Sequence, residues 1–139
     1  MNIKTYQQKS ARTCATLGDL FQDSLHMVLG MHTESAEIAD VYKKALAYKN
    51  PVDFVNVKEE LGDLMWYIAN MCNIHGWNLE DILDTNIAKL EARYPEKFTT
   101  EKALNRDLSA EREILETGAI RTVTTHVKQA IFPDSGESV

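Results

Sequence analysis

Glu34 and Glu37 stand three residues apart in GMHTESAEIADVYKK, and Glu60 and Asp63 repeat that spacing in KEELGDLMWYIANM. Residues at i and i+3 share a helix face, so each pair makes a two-carboxylate patch. Both patches sit among apolar residues. Projected at about 100° per residue, the arc of Met27, Met31, Ile38, Val41, Tyr42 and Ala45 surrounds Glu34, with Glu37 at its rim. Glu60 lies at the edge of a second arc, made by Val57, Leu61, Leu64, Ile68 and Met71, and Asp63 lies one step further out. The carboxylates therefore face a helix–helix seam or its margin.

A solvated acidic face accounts for any one of these residues, because the dipole near a helix N-terminus favours negative charge. Four together are harder to explain that way. Like charges about 5 Å apart across one seam repel by roughly 3 kcal/mol per pair at an effective dielectric near 20. Several such pairs would offset a typical domain stability of about 5–15 kcal/mol. The group must be protonated, paired with bases or neutralised by a cation. Lys43, Lys44 and Lys58 project elsewhere or lie a turn or more away. An all-oxygen donor set suits a hard divalent ion, and Mg²⁺ takes a few carboxylates together with waters and phosphate oxygens.

Downstream, Asn86, Lys89 and Arg93 fall at i, i+3 and i+7, on one helical face. Taken alone, Lys89 and Arg93 could simply complement the C-terminal dipole of that helix. Beside an acidic metal site, the stripe supplies what a phosphate chain requires: a point charge, a planar fork and a neutral donor.

The elements that must position these residues are helices. A helical period runs through 19–48, with Gly30 as the point where a bend is expected. The segment YKNPVD interrupts it, Asp53 offers a cap, and a second period occupies 53–75 up to Gly76. Asn78 and Asp81 open a third helix that Pro95 closes. Shorter helices are expected over 4–15 and 101–116. The chain therefore reads as all-α, a four-helix-bundle-like module with long antiparallel helices. A helix of 30 residues is about 45 Å long, against a radius of gyration near 14 Å for a compact chain of this length. Such a bundle is expected to complete its core by oligomerisation. A domain over 1–117 and a C-terminal arm or flexible tail over 118–139 follow from the composition, since FPDSGESV lacks any apolar period.

The chain has 139 residues, a one-domain length, and a formal net charge of −6, which argues against a binder of nucleic acid polymers. Cys14 and Cys72 have no paired spacing, and no run of about 18 apolar residues occurs. A cytoplasmic protein without membrane contact is expected. The four histidines form no E-x-x-H pair, and Cys72 with His75 has no second ligand pair.

The pattern E-S-A-E at Glu34 to Glu37, E-L-G-D at Glu60 to Asp63 after a gap of 22 residues, and N-I-A-K-L-E-A-R-Y-P from Asn86 to Pro95 resembles the MazG-like nucleotide pyrophosphohydrolases of the all-α NTP pyrophosphatase superfamily. The likeness covers about 25–98. It implies a four-helix module assembled as a homodimer or homotetramer. It also implies Mg²⁺ (with Mn²⁺ as substitute) held by Glu34, Glu37, Glu60 and Asp63, and triphosphate contacts from Lys89 and Arg93. The implied reaction takes a nucleoside triphosphate and water to the monophosphate and pyrophosphate. Thr33 stands where many members have a second acid, whereas Glu59 forms a doublet with Glu60 and is a candidate for an outer-sphere role. Trp66 and Tyr67, a turn beyond Asp63, either stack on a base or pack a core or subunit interface. Two other readings stay open: a non-catalytic module binding nucleotide or a partner helix, and a superfamily enzyme acting on an alarmone or a phosphoribosyl nucleotide.

Overall fold

The computed structural model describes residues 1–118. All regular structure among them is helical. Helix α1 (Ile3–Ser10) runs into a 3-10 turn at Ala11–Thr13, followed by α2 (Leu20–Tyr48), α3 (Phe54–His75), α4 (Leu79–Arg93) and α5 (Thr100–Leu104). A last helix, α6, covers 108–118. The chain divides into two compact units, one spanning Met1–Leu79 and one beginning at Glu80. Apart from Gly118, the arm expected over 118–139 lies outside the described residues. No helix among them is long and apolar enough to cross a membrane.

Local chemistry sets the ends of the two long helices. At the start of α2, Gln22 N–H donates to Asp19 Oδ1 at 2.9 Å and Asp19 N–H donates to Gln22 Oε1 at 3.0 Å, a reciprocal capping box. The helix ends at Lys49, a non-glycine residue with φ 58°. At the start of α3, Asp53 Oδ1 accepts from the N–H groups of Val55 (3.0 Å) and Asn56 (3.2 Å). Gly76, at φ 66°, closes α3 in the left-handed region that glycine enters without strain.

Helices α2 and α3 pack antiparallel. Ser24 meets His75 (Oγ to Nε2, 2.9 Å), Gly30 meets Tyr67, and Glu34 meets Glu60, so positions ascending on α2 pair with positions descending on α3. Helix α2 runs through Gly30 without a break for its 29 residues. Glycine is there for close approach: a Cβ at position 30 would lie 2.1–2.4 Å from the Tyr67 ring.

Helix α1 and its 3-10 turn cover the other side of α3. Asn73 Nδ2 donates to Gln7 O at 3.0 Å, Tyr6 Oη to Gly62 O at 3.3 Å, and Trp66 Nε1 to Thr13 Oγ1 at 2.8 Å. The Gln7 side chain also donates to Trp77 O (2.8 Å) and accepts from Leu79 N–H (2.9 Å), tying down the end of this unit. Ala69, Cys72 and Leu79 form the buried cluster, with Tyr6 and Ile68 packed against it.

In the second unit the single helix expected over 101–116 is two. Asn105, at φ −107° and ψ 66°, stops α5. Asp107 Oδ1 then accepts from Ala110 N–H (3.0 Å) and Ser109 Oγ (2.7 Å), which starts α6 afresh.

Candidate functional site

The tight passage at Gly30 and Tyr67 brings α2 and α3 together one turn before Glu34. From there the carboxylates of Glu34, Glu37 and Glu60 converge, each offering an oxygen within 4.8 Å of the others. Their environments differ. Glu60 is buried (6% exposed), and its Oε1 accepts a hydrogen bond from Asn56 Nδ2, one turn earlier on α3. Glu34 is half-buried, and Glu37 is exposed. Thr33, where an acid doublet would have stood, donates its hydroxyl to Gly30 O at 2.9 Å and reaches Glu34 Oε1 at 3.5 Å.

This crowding has an electrostatic signature. The Glu34 carboxyl is pushed above the ordinary carboxylate range, first by burial, then by its hydrogen bond with Glu60, then by the charges of Glu37, Glu60 and Asp63. No base relieves it from α2, because Lys43 and Lys44 both pair with Asp40, at 2.5 and 2.6 Å. Asp63 is exposed and stands outside the three-carboxylate cluster. Its charge nevertheless reaches Glu34, and it adds to burial in raising the Tyr6 hydroxyl. Glu59 is exposed beside Glu60.

The donor set fits a hard divalent cation. All three donors are carboxylate oxygens, the ligand type such a cation takes. Neither histidine nor cysteine joins the cluster. His75 bonds Ser24 and stacks on Trp77 at 4.3 Å, and Cys72 is buried with its thiol pushed up by burial.

Trp66 and Tyr67 both make packing contacts. The Trp66 indole is tied to Thr13, and the Tyr67 ring lies against Gly30, edge-on to Trp66 at 4.9 Å and to His26 at 5.9 Å.

Asn86, Lys89 and Arg93 lie on α4, in the unit that begins at Glu80. Asn86 is exposed, and Lys89 and Arg93 are half-buried. Arg93 does not stand alone: its Nε and Nη2 donate to the two oxygens of Glu111 at 2.7 and 2.6 Å. Arg106 grips the same carboxylate through Nε (3.3 Å) and Nη2 (2.6 Å). Glu111 is 5% exposed, and its carboxyl is pulled down to about 2 by Arg93 and then Arg106. Sequence reasoning missed Asn56 and Glu111. Asn56 was recoverable from its i, i+4 relation to Glu60. Glu111 left no such signal, being 18 residues from Arg93 and on another helix.

Residues 17–98 match the model of the MazG nucleotide pyrophosphohydrolase domain. The Gene 37 protein of Mycobacterium phage L5 is 30% identical over 101 residues, covering 67% of this chain and 89% of that protein. No solved structure matches the chain. The domain match spans more than half of the sequence, and the chain belongs to the MazG nucleotide pyrophosphohydrolase family.

Proposed function

From that membership we propose an Mg²⁺-dependent nucleoside triphosphate pyrophosphohydrolase, converting a (d)NTP and water to the (d)NMP and pyrophosphate. The observation that carries the reading is the cluster of Glu34, Glu37 and Glu60 across the α2–α3 seam. These three, with Asp63, are assigned to the ion, for which Mn²⁺ is the expected substitute. A divalent ion supplies a Lewis acid that lowers the pKa of water and offsets phosphate charge.

The chain's own residues do the positioning. Glu60, buried and held by Asn56, is fixed before any ligand arrives, whereas the exposed Glu37 stays accessible. Glu59 is assigned as an outer-sphere acceptor for a proton of the attacking water. Lys89 and Arg93 are assigned to the phosphates, where their charge stabilises the departing pyrophosphate, and Asn86 adds a neutral donor. Phosphoryl chemistry of this kind needs positioning and electrostatics and no side-chain nucleophile. A base-stacking role for Trp66 and Tyr67 competes with the packing contacts both rings already make.

The test is pyrophosphate release from a panel of NTPs and dNTPs, with Mg²⁺ and with EDTA. Mg²⁺-dependent release with the monophosphate as co-product is expected. Release only from an alarmone or a phosphoribosyl nucleotide would move the substrate within the superfamily. Nucleotide binding without turnover would establish the non-catalytic module instead.

The functional unit is proposed to be a homodimer or homotetramer, with a four-helix bundle completed between copies. Of the 29 residues of α2 only Met27 and Gly30 are buried, while Phe21 is 72%, Leu29 55% and Val28 50% exposed. Such a stripe is the apolar centre that an interface of about 1,200–2,000 Å² requires. Light scattering at micromolar concentration should give a dimeric or tetrameric mass, reduced to that of one chain by Leu29→Glu. A monomeric wild-type chain would overturn this assembly.

A further inference from the structure

Arg93, Glu111 and Arg106 form a charged group whose last two members lie beyond the residues matched to the family. A carboxylate with four N–H donors aimed at its two oxygens has its acceptor sites occupied, and burial removes the water that would compete for them. Arg93 spends its Nε–Nη2 edge on this bond. A guanidinium carries five donors in a rigid plane, so the Nη1–Nη2 edge that Glu111 does not use is held in a fixed direction. Tyr94 limits the same plane from another side, its side chain hydrogen-bonded to the guanidinium and its ring centre 5.6 Å from Arg93 Cζ.

Charge explains why there are two arginines. A lone Arg93–Glu111 pair would be electrically neutral and would give a polyphosphate no net attraction. Arg106 returns the group to one net positive charge while leaving the carboxylate doubly gripped. Lys102 and Asp107 line the same small recess with Arg93 and Glu111, two cations and two carboxylates, and Arg106 adds its charge through its bond to Glu111. Arg93 and Glu111 side chains are 16% and 6% exposed, while Arg106 at 43% remains partly in solvent.

We infer that Glu111 is a positioning residue: it locks Arg93 by one edge so that the opposite edge meets a substrate phosphate already oriented, with Arg106 keeping the group cationic. The inference rests on the reading that Arg93 contacts the phosphates. Its energetic logic is preorganisation, because the rotamer freedom of a long side chain is removed by the fold before binding.

The experiment compares Arg93→Lys, Glu111→Gln and the double variant in the full chain. Two quantities are read: KM and kcat for the preferred nucleotide at saturating Mg²⁺, and calorimetric affinity for inorganic pyrophosphate with Mg²⁺. Glu111→Gln should raise KM and weaken pyrophosphate binding by about tenfold each, with a smaller change in kcat. The double variant should be no worse than Arg93→Lys alone, because both act through one guanidinium. Additive losses, or unchanged KM and pyrophosphate affinity in Glu111→Gln beside a weakened Arg93→Lys, would reduce Glu111 to a clasp between α4 and α6 and overturn the inference. Unchanged binding in Arg93→Lys itself would instead remove Arg93 from the phosphate site, the underlying reading. If Glu111→Gln does not fold, Arg106→Gln serves in its place, since it spares the Arg93–Glu111 bond but leaves that pair neutral. A KM raised about threefold supports the group's cationic role, and an unchanged KM overturns it.

Discussion

Glu60→Gln should lower pyrophosphate release by about 10²–10³-fold at saturating Mg²⁺ while the helical circular dichroism of the chain stays unchanged. Glu60 is the most buried of the converging carboxylates, and its Oε1 accepts from the Asn56 amide. An amide at position 60 keeps an oxygen for that hydrogen bond and fills the same volume, so packing is retained. What it removes is a negative charge from the donor set. Asp63→Asn should act in the same direction, and full turnover in either variant would sink the site assignment.

The same substitution has a second expected outcome, of opposite sign. Without metal, the three carboxylates repel across the seam, and Glu34 responds with a carboxyl raised above its ordinary range. A raised folded-state pKa means that the folded chain holds this proton more tightly than the unfolded chain does. The contribution of Glu34 to metal-free stability is therefore fully present below pH about 4.5, the ordinary value for this carboxyl, and declines as pH rises through its raised range. Glu60→Gln removes two of the causes, the hydrogen bond and one charge, and should flatten that decline. In EDTA at neutral pH the variant should melt higher than wild type. Loss of turnover coupled to a gain in metal-free stability is the signature of residues kept for function at the expense of the fold. A lower melting temperature would mean that the cluster is structural.

How much of this was legible from the sequence depends on the range of the interaction. Helices α2 and α3 were readable because their signals are local: apolar residues at helical spacing, Asp53 as a cap, Gly76 as a stop. The convergence of Glu34, Glu37 and Glu60 was readable because helical spacing fixes which side chains share a face, whereas Asp63, read the same way, stands outside their cluster. The break between α5 and α6 was not, because the Asp107 cap is embedded in a charged run that supports helix equally well. Tyr42 and Leu61, placed in the apolar arcs, are each 48% exposed. Periodicity gives the width of a stripe, but not the part of it that one copy of the chain covers. The grip of Glu111 on Arg93 and the contact of Gly30 with Tyr67 join residues on different helices, and no local pattern announces either one.

Gly30→Ala should destabilise the protein and weaken Mg²⁺ binding together, although residue 30 touches no ligand. The sign is informative because Gly→Ala within a helix ordinarily stabilises by about 0.5–1 kcal/mol. Here the added Cβ would meet Cε1, Cζ and Cδ1 of Tyr67 at 2.1–2.4 Å. The ring cannot retreat freely, with Trp66 edge-on at 4.9 Å and His26 at 5.9 Å. Overpacking of this kind costs about 1–3 kcal/mol, which exceeds the helix-propensity gain. A net loss of about 1 kcal/mol would lower the melting temperature by about 3–4 °C in a chain of 139 residues. If α2 and α3 separate to make room, Glu34, one turn along, moves away from Glu60, and the cluster loosens with the seam. Tyr67→Leu in the Gly30→Ala background should restore much of both properties. Tyr67→Phe should not, because the atoms in conflict belong to the ring and not to its hydroxyl. A higher melting temperature in Gly30→Ala alone would show that the seam tolerates a methyl group and that the approach of the two helices does not set the spacing of the carboxylates.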